Sequence, residues 1–261
     1  MDRYEEYVVD GVVGHGGSAT VYRAHRVTSP EVMVALKVLD DHHQDATHLT
    51  RLQREFDFAK ELAHPHIVTM FDSGPAWLAM ELIGGGSSTN LTERSDVFVA
   101  LSQIAGALDY AHQRGVVHCD VKPTNILLAE DFSAGGAILI DFGVARSMAQ
   151  DAGHRLTHVE ASLPYSAPEV LRGRPPSPAA DEYALACTLV ELLTGTPPFT
   201  AYTAMALIED HLNRPVPRFS HRIDWIPRAF DSILAKAMAK DPELRYDTCG
   251  EFIALATRAL S

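Results

Sequence analysis

His118-Cys119-Asp120-Val121-Lys122-Pro123-Thr124-Asn125 decides how this chain is read. An aspartate, a lysine two positions on and an asparagine five positions on share one short segment that the proline keeps irregular. The aspartate can accept a hydroxyl proton, the lysine can neutralise a phosphate, and the asparagine can hold a metal. Chance assembly of all three in one loop is improbable. Upstream, Val97, Leu101, Ile104, Ala105, Leu108 and Ala111 recur at helical spacing, so one long helix delivers the loop. Downstream, Ile138-Leu139-Ile140 reads as a strand that ends in Asp141-Phe142-Gly143. A strand-ending aspartate suits a magnesium ligand, although alone it would pass for a turn.

Towards the N-terminus the pattern changes to strands. Tyr7-Val8-Val9 with Val12-Val13, Val21 to Ala24, Met33 to Leu39, Ile67 to Phe71 and Trp77 to Glu81 are β-rich. Gly14-His15-Gly16-Gly17-Ser18-Ala19-Thr20-Val21 lies between the first two. Glycines there let backbone N–H groups approach phosphate oxygens. A hairpin turn would use the same residues. A dinucleotide fingerprint should open a helix, whereas a strand follows here. Lys37 sits inside an apolar strand, where an ammonium needs an anionic partner. Leu49, Leu52, Phe56, Ala59 and Ala63 mark a helix ending at His64-Pro65, and Glu55 near its middle is a candidate partner.

Gly84-Gly85-Gly86-Ser87-Ser88 is the linker candidate, and helical patterns dominate beyond it. Asp181 to Leu193 is apolar nearly all round, as in a buried central helix. Ala229 to Met238 and Gly250 to Leu260 are later helices. The expected fold class is α+β and bilobal. A small β-rich lobe covers about residues 1–81, a hinge about 82–86, and a larger helical lobe about 87–261.

The formal net charge of −12 would repel phosphate backbones, so nucleic acid is not an expected partner. Three widely spaced cysteines, Cys119, Cys187 and Cys249, leave one unpaired in any disulfide scheme and favour a reducing, cytoplasmic setting. The polar start Met1 to Glu6 does not read as a signal peptide. No apolar run is long enough for a bilayer, so no membrane segment is expected. The chain reads as soluble, or as the cytosolic domain of a longer membrane-anchored protein. His42, His43 and His48 lack metal spacing and read as surface residues.

Taken in order, these segments resemble the protein-kinase signature set over residues 7–257. The details resemble bacterial eukaryotic-like Ser/Thr kinases of the actinobacterial type: the Gly-Gly pair, Val117 to Leu128, and Leu192-Leu193-Thr194-Gly195-Thr196-Pro197-Pro198-Phe199. Ala167-Pro168-Glu169 matches the end of the family's activation segment. The resemblance implies ATP and Mg2+ as cofactors, with Mn2+ as an alternative. It implies protein substrates and γ-phosphoryl transfer to Ser/Thr hydroxyls, the chain's own included. A homodimer is a partner to look for.

By that resemblance Gly14, His15, Gly16, Gly17, Ser18 and Val21 would cover the nucleotide. Lys37 would hold the α/β-phosphates through Glu55, and Asn125 and Asp141 would bind the metal. Asp120 would orient and deprotonate the acceptor, and Lys122 would steady the γ-phosphoryl group. Glu81 and Ile83 would bond adenine through their backbones beside Met80. Val21, Ala35 and Leu127 would sandwich the ring. Asp181 would tie down the catalytic loop, and Arg245 would pair with Glu169.

Three departures from the family pattern stand out. Cys119 replaces the arginine of regulated kinases, Ala161-Ser162 replaces Gly-Thr, and the stretch from Gly84 to Arg94 is too short for the family's usual small helix. A phosphate on Thr157 or Ser147 therefore gains no cation at position 119. Arg146 and Arg155 lie on the segment itself and would anchor it poorly. A pseudokinase binding module and a small-molecule phosphotransferase are the competing readings. The first would lose Lys37, Asp120 or Asp141, and the second usually lacks the Ala-Pro-Glu segment.

Overall fold

The computed structural model describes residues 3–148 and 162–260. Six antiparallel strands open the chain: β1 (Arg3–Tyr4), β2 (Tyr7–His15), β3 (Ala19–Arg26), β4 (Ser29–Leu39), β5 (Met70–Gly74) and β6 (Trp77–Glu81). Their order across the sheet is β1-β2-β3-β4-β6-β5. α1 (Ala46–Glu61) crosses between β4 and β5 and packs against β5 and β6.

β4 is central, and its two-residue period sorts its side chains. Val34, Leu36 and Val38 join Tyr7, Trp77 and Ala79 on one face. Ala35 and Leu39 face α1 on the other. Lys37 shares that second face, so the alternation aims its ammonium at the helix. α1 starts on Asp45, whose carboxylate accepts the N–H groups of Thr47 and His48 at 2.8 and 3.2 Å. Leu52, Glu55, Phe56 and Ala59 form its buried stripe. One carboxylate in that apolar stripe is what Lys37 meets.

The second lobe holds α2 (Arg94–Gln113), β7 (Val116–Val117), β8 (Ile126–Leu128), α3 (Phe132–Gly135), β9 (Ala137–Leu139) and β10 (Arg146–Ser147). α4 (Pro168–Leu171), α5 (Pro178–Thr194), α6 (Ala204–Asn213), α7 (Arg228–Ala237) and α8 (Cys249–Leu260) follow. β8 pairs with β9, and β7 with β10. α5 is buried without a break from Ala180 to Val190, with α2, α7 and α8 around it. Each large apolar side chain fully buried there, Leu185 or Leu189 for example, contributes about 1.5–3 kcal/mol. Pro178 starts α5 and Gly195, at φ 78°, stops it.

One local expectation needs correction, and two neighbouring stretches take a definite form. Ile67 and Val68 leave the expected strand and join β9, with the Val68 N–H donating to the Leu139 carbonyl at 3.0 Å, so β5 begins only at Met70. The glycine linker is stitched to β8: Gly85 N–H donates to Leu128 O at 2.9 Å, and Leu128 N–H returns to Gly86 O at 2.8 Å. A side chain at Gly85 would strike the Leu128 and Ala129 carbonyls, which explains the glycine. The family's small helix is reduced to one 3-10 turn, Ser88–Asn90, whose buried Ser88 hydroxyl donates to the Pro123 carbonyl at 2.9 Å. Among the described residues no helix is long and apolar enough to cross a membrane.

Candidate active site

β2, β3 and β4 carry the first group of candidate residues. Gly14 and His15 end β2 and pair with Val21 and Thr20; Val21 in turn pairs with Lys37. The turn at Gly16, Gly17 and Ser18 is closed by Gly16 N–H donating to Ala19 O at 2.8 Å. A Cβ at Gly14 or Gly17 would meet nothing within 4 Å, and neither has positive φ. The fold itself therefore does not require glycine at those two positions. Bare backbone there suits a bulky anionic guest. His15 is exposed, and its Nδ1 lies 3.2 Å from Thr20 Oγ1, which donates to Asp40 at 3.0 Å.

β6 ends at Glu81, paired with Val34, while Ala35 pairs with Met80. Two residues on, neither the N–H nor the C=O of Ile83 has a hydrogen-bond partner among the described residues. Leu127 lies on β8, bridged to Ser87 beside the stitched hinge.

Lys37 meets two carboxylates. Its Nζ lies 2.9 and 2.6 Å from the Glu55 oxygens and 3.5 Å from Asp141 Oδ1. Burial works against the ammonium, but Asp141 and Glu55 outweigh it and hold Lys37 above its ordinary range. The same ammonium holds Asp141 below the carboxylate range against burial. Burial pushes the Glu55 carboxyl up against the pull of Lys37.

The second cluster surrounds Asp120. Its Oδ2 accepts from Lys122 Nζ at 2.7 Å and from Asn125 Nδ2 at 2.9 Å. Its Oδ1 accepts from the Ser162 hydroxyl at 2.8 Å, and Ser162 itself accepts from Lys122 at 2.8 Å. Asn125 also donates to the Asp120 carbonyl at 2.8 Å, so both amide hydrogens are committed. Its amide oxygen has no hydrogen-bond partner among the described residues. Asp141, 39% exposed, offers carboxylate oxygens. One amide oxygen and one carboxylate fit a hard divalent cation of the Mg2+ or Mn2+ kind.

Asp181, fully buried on α5, accepts the backbone N–H groups of His118 and Cys119 and the Nε2–H of His112, all at 2.8 Å. Burial opposes its charge, but these donors keep its carboxyl low. They hold Cys119 at φ 68°, in the left-handed region that a cysteine rarely adopts. Asp141 also has positive φ, 66°. The His118 Nε2–H donates to Ile140 O at 3.1 Å, which leaves Nδ1 to accept the Asp120 N–H at 3.2 Å. Its ring meets Phe142 edge-on, with centroids 4.7 Å apart. Catalytic loop and Asp141 turn are thus one hydrogen-bonded and packed unit.

The structure brings Lys37 to Glu55 and Asp141, and Lys122 and Asn125 to Asp120. Residues 149–161, with Arg155, Thr157 and Ala161, lie outside the described residues. Arg146 is not loosely placed: β10 pairs it with Val117, two residues before Cys119. The sequence reading missed His112. Its signal was position, four residues after Leu108 on the buried stripe of α2, where a polar side chain needs a partner.

A family model described as the protein kinase domain matches residues 7–254. Serine/threonine-protein kinase PknJ of Mycobacterium tuberculosis is 40% identical over 270 residues, covering 97% of this chain and 45% of that protein. Serine/threonine-protein kinase PknE of the same species is 37% identical over 271 residues, covering 99% and 47%. The crystal structure of the Mycobacterium tuberculosis PknI kinase domain, a double mutant, aligns at TM-score 0.76 with 31% identity, covering 98% of this chain and 97% of that one. The chain spans less than half the length of the curated relatives it matches.

Proposed function

The chain belongs to the protein kinase domain family, whose members use ATP and a divalent metal, and we propose that it transfers the γ-phosphoryl group of ATP to Ser and Thr hydroxyls of proteins, its own included, in bacterial signal transduction. One observation carries the reading: a single carboxylate, Asp120, gathers Lys122, Asn125 and Ser162, while Lys37 bridges Glu55 and Asp141 across the cleft.

Asp120 orients an incoming hydroxyl and takes its proton. Lys122, shared with Ser162, offsets charge on the transferring group. Lys37, positioned by Glu55, receives the α/β-phosphates, and the bare backbone at Gly14 and Gly17 lets His15, Gly16 and Ser18 close over them. The unpaired N–H and C=O of Ile83, with the Glu81 carbonyl, bond the adenine edge, and Val21, Ala35 and Leu127 cover its faces. Asn125 and Asp141 hold Mg2+, or Mn2+ in its place, which when bound neutralises phosphate charge. Residues 82–86 serve as the hinge. The buried thiols of Cys187 and Cys249, unpaired with one another, agree with a reducing cytosol, where ATP and protein acceptors are available.

The test is transfer of label from γ-labelled ATP, with and without Mg2+, to the chain and to a generic basic protein. Metal-dependent labelling of either is expected. Tight nucleotide binding without transfer would favour the binding-module reading.

A further inference from the structure

Beneath the catalytic loop, three metal-ligating side chains converge where α2 meets the start of α8. Asp109 and His112 stand one turn apart on α2, and Cys249 opens α8. One ligating atom from each lies within 4.8 Å of the other two. Phosphoryl transfer uses neither Asp109 nor Cys249.

Asp109 is held in place, its Oδ1 accepting the Cys249 N–H and its Oδ2 the Gly250 N–H, both at 2.9 Å. This caps α8, and each oxygen keeps a lone pair. Capping accounts for Asp109 and the bond to Asp181 orients His112, but neither accounts for the thiol beside them. His112, 9% exposed, donates Nε2–H to Asp181 at 2.8 Å, so a neutral ring carries its lone pair on Nδ1. A carboxylate behind an imidazole is the arrangement that fixes ring orientation and raises basicity at metal sites. Cys249 is 1% exposed. Burial and the carboxylates of Asp109, Asp181 and Glu182 push its thiol well above the usual range. That negative surrounding favours a cation over a bare thiolate.

We propose that Asp109, His112 and Cys249 form a site for one transition-metal ion of the Zn2+ class, with a fourth position left to water. A carboxylate oxygen, an imidazole nitrogen and a sulfur make a borderline ligand set suited to that ion. Zinc bonds of about 2.0–2.3 Å put tetrahedral ligands roughly 3.3–3.8 Å apart, so the three atoms close by about 1.5 Å at most. Binding forms a Zn–S bond and releases the Cys249 proton to solvent. The ion would sit one hydrogen bond from Asp181, which holds the catalytic loop.

The test uses the full chain, reduced and freed of metal, with Co2+ as the probe. One equivalent should give a thiolate-to-cobalt charge-transfer band and the strong visible bands of tetrahedral cobalt, both removed by Zn2+. Cys249→Ala should abolish them and Cys187→Ala should retain them. Surface histidines can bind Co2+ but produce no thiolate band. No thiolate band in the wild type, or a band surviving Cys249→Ala, overturns the site. If Cys249→Ala fails to fold, calorimetry of wild type with Zn2+ in two buffers of different ionisation enthalpy decides. Release of about one proton per ion supports the site, and release of none overturns it.

Discussion

Arg245 grips Glu169 with both ends of its guanidinium: Nη1–Oε1 and Nη2–Oε2 are each 2.7 Å, and the side chains are 0% and 4% exposed. Arg245 also donates to Ala239 O at 2.9 Å and to Ala179 O at 2.7 Å, so it ties three segments together. Glu169 sits at the start of α4, just after the undescribed segment. The pair fastens that point to the lobe core.

Arg245→Ala strands the Glu169 carboxylate and two partly buried carbonyls. The expected loss is about 3–5 kcal/mol, the range for a buried pair broken from one side. Chemical denaturation of variant and wild type measures it. Equal stabilities would show that the pair contributes nothing net.

Asp120→Asn keeps the shape of the side chain but removes the proton acceptor. Turnover should fall by about 10²–10⁴ while ATP affinity stays near that of wild type, because general-base catalysis is worth that much. Initial rates and nucleotide titration separate the two effects. Wild-type turnover would remove Asp120 from the role proposed for it.

Asp141→Ala removes one of two hard oxygen donors and one of two carboxylates on Lys37. The gain in ATP affinity that Mg2+ gives the wild type should disappear. Calorimetry with and without Mg2+ reads this directly. An unchanged metal dependence would mean the ion is held elsewhere.

How much of this was legible can be judged residue by residue. Lys37 and Glu55 were readable because each breaks an apolar period, and a buried charge requires an opposite one nearby. The catalytic loop was readable because three chemically distinct groups share one short segment. The Asp181 bonds to the His118 and Cys119 amides were legible only through resemblance, since nothing local marks an aspartate some sixty residues downstream. Ile67 and Val68 misled because strand propensity is the same for a sheet edge and for a bridge to β9; only long-range pairing decides. The bonds between the glycine linker and β8 were equally illegible. Gly85 reflects the close approach of β8, which a one-dimensional pattern does not contain.

Glu182 predicts a pH dependence of stability. It is 2% exposed on α5 and accepts the Tyr246 N–H at 3.1 Å. Burial pushes its carboxyl from the ordinary 4.5 up to about 8. Between those values the folded chain keeps a proton that the unfolded chain has released. This contribution is fully present below pH 4.5 and is lost as pH rises towards 8. Glu182→Gln removes the titration while keeping an oxygen for Tyr246. The two proteins should melt at similar temperatures at acid pH, and the variant should gain on wild type as pH rises, by at most on the order of 1.4 kcal/mol per pH unit. Parallel melting curves across the range would show that Glu182 does not titrate there.

Control of the activity turns on Cys119. In kinases with arginine at this position, a phosphate on the activation segment pairs with it, and that charge-assisted contact orders the segment. Here the backbone at 119 is held in place by Asp181, but the side chain brings no charge; its thiol points back to Val117 O at 3.5 Å. The hypothesis is that basal activity depends little on phosphorylation of Thr157 or Ser147. The measurement is the initial rate on an added protein substrate for phosphatase-treated wild type and for the Thr157→Ala, Ser147→Ala double variant. Both should stay within about tenfold of the phosphorylated enzyme, a barrier change under about 1.4 kcal/mol. Arg146 is the cation to examine if they do not, because β10 fixes its backbone against Val117 beside the loop. A larger fall reproduced by Arg146→Ala alone would transfer the arginine's role to that residue and sink the hypothesis. A small change in all three proteins would mark Cys119 as the sign of a kinase whose rate is set by something other than segment phosphorylation.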